Sequence, residues 1–354
     1  MKKLIFLLLL LSHLGFSQEN KFRSEEVDYW NTADSVHIFG TLTMPETGSK
    51  FPAVILITGS GTQDRDETLL GHKPFKVIAE YLTNRGFAVL RLDDRGAGKT
   101  TLGKKPKLAT SENFGKDVLA GVDFLKNRSE INPTKIGLIG HSEGGMIAPM
   151  VANQSKDVAF IVSLAGTGVQ GSVVAHNQME TLLFKSGADS SRVKQQVAFN
   201  DRIIALMMIE KDDKIFEEKI RTELKTLTDE QKTKFGIKGM DEFVVAQIKG
   251  QNIPWSKFFM KHDPADDWKR VKVPVLALNG TKDTQVAVDL HLPAIEKALK
   301  DGGNTHYKIV KLEGLNHLFQ HAETGLPNEY ATIKEDFAPE ALQIMGDWLV
   351  GITR

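Results

Sequence analysis

The sequence predicts an α/β fold: a mostly parallel central sheet with helices on both faces, interrupted late in the chain by a helical insertion. Three observations predict it. Short apolar runs recur at 51–58, 87–92, 135–139, 158–164, 273–279 and 306–312, and the most continuous of them read as strands buried on both faces. Helical stretches separate most of these runs, which is the alternation of a parallel sheet. The rhythm stops between 167 and 269, where helical patterns and charge dominate, and then resumes.

In chain order, residues 25–44 alternate weakly around a polar break at 31–34 and read as two strands joined by a turn. The strand at 51–58 is followed by a helix over 73–85 that stops at Gly86. The strand at 87–92 leads into a polar, Gly- and Lys-rich loop over 93–111, and a helix covers 112–127. Strand 135–139, a helix carrying 146–152, and strand 158–164 complete the first half. After the insertion come a strand at 273–279, a helix at 286–301, a strand at 306–312 and a last helix ending near 350. The core therefore comprises 18–166 and 270–354, and the helical cap insertion comprises 167–269.

The N-terminus is of a different kind. Lys2 and Lys3 precede eight apolar residues at 4–11, and Gly15-Phe16-Ser17 supplies small residues around a cleavage point. That is the pattern of a signal peptide over 1–17, removed after Ser17. The apolar run is far shorter than the ~20 residues a membrane span needs, so no stable anchor is expected after cleavage. The chain has no cysteine, which excludes disulfides, thiolate metal sites, a cysteine nucleophile and lipid attachment to an N-terminal cysteine. Export without disulfides suits a bacterial periplasm or exterior.

The rest of the composition is that of a globular protein, 41% hydrophobic and 25% charged, rather than a disordered or membrane chain. Forty-five basic residues face forty-five acidic ones, and loss of the leader leaves 43 against 45. No charge excess draws the chain to nucleic acid or anionic lipid.

The chemistry centres on Gly140-His141-Ser142-Glu143-Gly144, which lies between strand 135–139 and a helix. Strand, G-x-S-x-G, helix is the context in which a serine sits on a strained turn with its hydroxyl exposed. The flanking glycines are expected to supply a backbone conformation that a Cβ disfavours and a close approach of helix to strand. A serine hydroxyl needs a general base and an acid to orient that base. In an open parallel sheet such groups gather beyond the carboxyl ends of the strands. Asp283 follows strand 273–279, and His317 follows strand 306–312. The rival base His321 lies further from its strand end, and the rival acid Asp289 falls inside a helix.

The chain order is thus Ser142, Asp283, His317, the order of the α/β-hydrolase triad. The oxyanion needs two backbone donors. Glu143 N–H, next to the nucleophile, is one. The other comes from Thr58-Gly59-Ser60-Gly61, with Ser60 N–H chosen and Gly61 its neighbour.

Gly98-Lys99-Thr100 ends like a nucleotide-binding P-loop. Asp93 stands where that pattern requires its first glycine, and Gly103 and Pro106 interrupt the helix that must follow. The nucleotide reading fails on both counts.

Taken together, these motifs resemble the α/β-hydrolase superfamily, and within it the secreted bacterial esterase-like group near serine aminopeptidases and prolyl-oligopeptidase-type hydrolases. Gly59-Ser60-Gly61-Thr62-Gln63-Asp64-Arg65-Asp66, Asp94-Arg95-Gly96-Ala97-Gly98 and Gly140–Gly145 carry the resemblance. So do the loops holding Asp283-Thr284-Gln285-Val286 and Asn316-His317. Thr58 stands where lipase-like members have histidine. The resemblance implies a serine hydrolase acting on small-molecule carboxylic esters with no metal or organic cofactor. A thioesterase or serine aminopeptidase on the same fold is the alternative, and an inactive binding module would be missing a triad member. An aminopeptidase needs an acid for the substrate amine, which Glu143 could supply, although a glutamate at a helix start is more commonly exposed. Asp64-Arg65-Asp66 and Asp93-Asp94-Arg95 are expected to pair with one another rather than touch substrate. Trp255, Phe258 and Phe259 are expected to pack the cap on the core rather than line an acyl pocket.

Overall fold

The computed structural model describes residues 22–354, so the leader at 1–17 lies outside the described residues. The chain opens with β1 (Phe22–Asn31) and β2 (Val36–Pro45), an antiparallel hairpin. Then follow β3 (Phe51–Ile57), α1 (Pro74–Asn84), β4 (Ala88–Leu92), α2 (Ser111–Lys126), β5 (Ile131–His141), α3 (Glu143–Ala152) and β6 (Val158–Leu164). Seven helices occupy the stretch before the next strand: α4 (Gly171–Lys185), α5 (Ser190–Ile209), α6 (Asp213–Lys225), α7 (Asp229–Lys234), α8 (Met240–Gly250), α9 (Pro254–Lys261) and α10 (Pro264–Arg270). The chain closes with β7 (Val275–Gly280), α11 (Val288–Asp301), β8 (Tyr307–Leu312) and α12 (Pro339–Thr353).

The eight strands form one sheet in the order β1-β2-β4-β3-β5-β6-β7-β8. β2 runs antiparallel to β4, and every pair from β4 to β8 is parallel. From β3 the chain moves one way to β4 and then returns to place β5 on the other side. The crevice beyond the ends of β3 and β5 is therefore a topological switch point, where such sheets bind ligands.

Both faces of the sheet are covered. On one, α1 and α12 bury Phe75, Ile78, Leu82, Met345 and Leu349 against Val54, Leu56 and Val162. On the other, α2, α3, α10 and α11 pack around Val122, Ile147, Trp268 and Ile295. A separate apolar cluster of Phe199, Ile203, Met207, Phe216, Ile220 and Leu224 holds α5 and α6 together. The cap helices thus have a small core of their own, while α10 joins the main one through the fully buried Trp268. Where this stretch leaves and re-enters the core, Gly171 N–H donates to the His262 carbonyl at 3.2 Å.

Two elements extend beyond their sequence signals. β5 begins at Ile131, ahead of the apolar run, because a register shift next to Phe51 absorbs the polar Asn132-Pro133-Thr134. α3 begins at Glu143, although Gly144 and Gly145 are poor helix formers. Contact geometry overrides propensity there: a Cβ on Gly144 would lie 2.1 Å from the Ile57 carbonyl oxygen. Among the described residues no helix is long and apolar enough to cross a membrane.

Candidate active site

Ser142 sits between β5 and α3 at φ 53° and ψ −115°. A non-glycine residue there is strained and persists only where its surroundings over-determine it. Here the Ser142 N–H donates to the Leu164 carbonyl at 2.9 Å. The left-handed conformation falls on the serine itself, not on the flanking glycines as the sequence reading expected. The glycines serve close approach instead, since a Cβ on Gly140 would meet the Gly144 oxygen at 2.1 Å.

Asp283 and His317 come from the loops after β7 and β8. Asp283 Oδ1 accepts the N–H groups of Gln285 and Val286 at 2.8 and 2.9 Å. That leaves Oδ2 for His317 Nδ1, 2.8 Å away. Both side chains are buried, Asp283 completely. A carboxylate at Nδ1 fixes the proton there and leaves the Nε2 lone pair free to accept. Ser142 and His317 line one cavity of about 440 Å³, within the usual range for small-molecule sites.

The loop after β3 forms another wall. Gly59 comes so close that a Cβ on it would lie 3.3 Å from the Ser142 Cβ. Ser60 lines the Ser142 cavity, whereas Gly61 faces two adjoining ones. Glu143 is the first residue of α3, so its N–H has no intrahelical acceptor. The helix dipole adds positive potential at the same end.

Of the ion pairs expected between the two charged loops, Arg65–Asp93 forms, whereas Arg95 turns away to Asp34 and Asp117 at 2.8 and 2.6 Å. Arg65 bridges to Asp93 at 2.6 Å, and its backbone N–H donates to the same carboxylate at 2.9 Å. Arg91 pairs with Asp66. Thr58 Oγ1 lies 2.9 and 3.0 Å from the two oxygens of Asp94, and Gln63 N–H donates to Asp94 at 2.9 Å. Burial pushes the Asp94 carboxyl up to about 8, against the opposing pull of those hydrogen bonds.

Other residues lie where the sequence did not place them. Glu143 is buried, not an exposed helix-start glutamate. Its Oε1 accepts from Ser111 Oγ at 2.6 Å and Trp255 Nε1 at 2.9 Å. Its side chain borders a small separate cavity of about 70 Å³ rather than the one holding Ser142. Trp255 and Phe259 line the Ser142 cavity instead of packing into the core, and their rings stack at 5.6 Å. Phe258 stacks on His262. Of the rival groups, His321 is engaged with Glu335 and Glu340 on the surface, and Asp289 pairs with Lys311.

Two further residues were missed as contributors. His141, the variable position of the serine motif, is buried with Nδ1 at 2.9 Å from Glu67 Oε1 and Nε2 at 2.9 Å from the His317 carbonyl oxygen. The same Glu67 oxygen accepts Gly59 N–H at 2.7 Å. The only sequence signal was adjacency to the motifs.

The "serine aminopeptidase, S33" model of the Hydrolase_4 family matches residues 73–225. Esterase EstD of Thermotoga maritima is 29% identical over 293 residues, which is 82% of this chain and 60% of that protein. The chain thus spans about 60% of the length of that relative. The Pyrococcus furiosus esterase Pf2001 superposes with a TM-score of 0.58 at 18% identity, covering 94% of this chain and 92% of that one. The α/β hydrolase GrgF of Penicillium sp. sh18 superposes with a TM-score of 0.55 at 14% identity, covering 94% and 98%. The chain has the α/β-hydrolase fold. Its sequence resembles the esterase-like group close to the serine aminopeptidases.

Proposed function

We propose that this protein is a serine hydrolase that cleaves small-molecule carboxylic esters through Ser142, His317 and Asp283. One observation carries the reading. A strained serine and a histidine hydrogen-bonded to a fully buried aspartate open onto the same cavity.

In this reading Ser142 Oγ attacks the acyl carbon while His317 Nε2 takes its proton. The Ser60 and Glu143 N–H groups hold the oxyanion. Collapse breaks the bond between acyl carbon and alkoxy oxygen, and His317 returns its proton to the departing alcohol. Water then attacks the acyl-Ser142 with His317 again as base, releasing the acid and restoring the serine. Asp283 keeps the imidazole in the required tautomer and stabilises its cation. The steps use only these groups. EstD and Pf2001 are both described as esterases, which supports the choice of ester over amide. The Glu143 side chain is buried outside the Ser142 cavity, which argues against it as the site of a substrate amine.

We further propose that the chain is exported and loses residues 1–17. The N-terminal mass of the secreted protein tests this, with Gln18 expected first.

The deciding experiment compares short-chain nitrophenyl esters with aminoacyl nitroanilides, using wild type and Ser142→Ala. Ester turnover abolished by Ser142→Ala supports the reading. Preference for the anilides would transfer the protein to the aminopeptidases, and unchanged ester turnover in Ser142→Ala would refute the serine mechanism.

A further inference from the structure

We propose that Glu67 is a positioning residue for this reaction, locking the oxyanion loop, the serine turn and the histidine loop together through one carboxylate oxygen and a proton shared with His141. The inference rests on the serine-hydrolase reading and adds a residue that none of the motifs assigns.

The three parts to be aligned come from three different strands. The oxyanion loop follows β3, the serine turn follows β5, and the His317 loop follows β8. Glu67 Oε1 takes the Gly59 N–H at 2.7 Å and faces His141 Nδ1 at 2.9 Å across 74 residues of sequence. His141 Nε2 continues the chain to the His317 carbonyl at 2.9 Å, across a further 176 residues. Gly59, Glu67, His141 and His317 are thus linked in series behind the reacting atoms. His141 immediately precedes the strained serine, so a ring held at both nitrogens also helps to fix that turn.

Proton counting shows why a carboxylate is needed. A carbonyl can only accept, so His141 Nε2 must carry a proton. The other nitrogen faces a carboxylate oxygen, and one proton must lie between them, on Nδ1 or on Oε1. An imidazolium with a carboxylate, or an imidazole with a carboxylic acid, both satisfy the geometry, and both leave the pair with no net charge. Burial alone would push His141 down, but the Glu67 carboxylate and the His317 carbonyl push it up, which favours the ion pair. Glu67 itself adopts φ 53°, held there by its N–H donating to the Asp64 carbonyl at 2.9 Å.

A glutamine cannot do the same work. Its oxygen can accept from Gly59, but it then meets either a lone pair on Nδ1 or a buried imidazolium without a counter-charge. An aspartate keeps the charge but draws the oxygen back by one methylene. In both variants a link of the series opens while the reacting groups themselves stay chemically intact. Misplacement by about 1 Å can cost on the order of 100-fold in rate.

The test measures ester hydrolysis by the full chain for wild type, Glu67→Gln, Glu67→Asp, His141→Asn, the Glu67→Gln/His141→Asn double variant and Ser142→Ala. Thermal unfolding is measured on each. We expect Glu67→Gln and Glu67→Asp to fold and to lose about 10–100-fold in kcat, with KM within roughly threefold. Labelling of Ser142 by a fluorophosphonate should slow in parallel. The double variant should be no worse than the poorer single variant, because the two residues act as one unit. Unchanged kcat in either folded Glu67 variant overturns the proposal, as does a double variant that multiplies the two losses. If neither Glu67 variant folds, the residue serves stability and the proposal is likewise overturned. Activity surviving in Ser142→Ala would instead refute the underlying mechanism, so the two failures are distinguishable.

Discussion

Trp255 Nε1 donates to Glu143 Oε1 at 2.9 Å, which ties cap helix α9 to the residue beside Ser142. The same indole borders both the Ser142 cavity and an apolar cavity of about 680 Å³ walled by Leu102, Phe114 and Ile253. Trp255 is the lining residue that the two have in common. Trp255→Ala should join the two spaces and raise kcat/KM for medium-chain esters relative to acetate. Trp255→Phe should keep the two spaces separate and lose only the hydrogen bond to a buried charged acceptor, about 1–3 kcal/mol by denaturant titration. An unchanged chain-length profile in Trp255→Ala would show that the indole does not set acyl size.

Asp283→Asn gives a sharper test of the triad than alanine does. The Gln285 and Val286 N–H groups already donate to one oxygen of the side chain. They would hold the amide oxygen there and turn the amide nitrogen toward His317. His317 would then have to accept at Nδ1 and carry its proton on Nε2, the wrong tautomer for a base. We expect kcat to fall by roughly 10⁴-fold at neutral pH with little change in thermal stability. Steady-state kinetics beside a melting curve would check both halves.

The Arg65–Asp93 pair joins the loops after β3 and β4, with Asp93 almost wholly buried. Removing one partner leaves the other charged and poorly solvated. Asp93→Ala should therefore destabilise the protein by about 3–5 kcal/mol. Equilibrium unfolding in urea is the measurement. A loss below about 1 kcal/mol would mean that Arg65 finds enough solvent or Glu26 to do without Asp93.

Asp94 makes stability depend on pH in an unusual direction for a carboxyl group. Its folded value, about 8, lies above the ordinary unfolded one of roughly 3.9. Between those limits the folded state holds a proton that the unfolded state has released. The contribution of Asp94 is therefore full below about pH 4 and is lost as pH rises toward 8. Asp94→Asn imitates the protonated form and should remove this slope. Melting temperatures of the two proteins from pH 5 to 9 should diverge upward in favour of the variant. Parallel curves would refute the assignment.

Much of this architecture was legible because the core strands are short apolar runs and the parallel sheet places functional loops after strand ends. β6 was readable to the residue for that reason. The order of Ser142, Asp283 and His317 could be read for the same reason. What escaped notice depends on distance in sequence. The role of His141 is set by Glu67 and by a carbonyl 176 residues away, and no local pattern records either. Glu143 looked like a surface residue because a helix start usually is one, until Ser111 and Trp255 close over it. Trp255 and Phe259 looked like core because aromatic residues usually are, yet they face a cavity that only the tertiary arrangement creates.

The hydrogen bond between Gly171 and His262 closes the neck of the inserted helices at 3.2 Å. The stretch between them leaves and re-enters the core at two neighbouring points and has its own apolar centre, with Trp255–Glu143 and Lys185–Thr324 as further ties. Such a unit can be lengthened, trimmed or exchanged by recombination without stretching the sheet or moving Ser142, Asp283 or His317. The part of the chain that walls the Ser142 cavity from above can therefore vary separately from the strands that carry Ser142, Asp283 and His317.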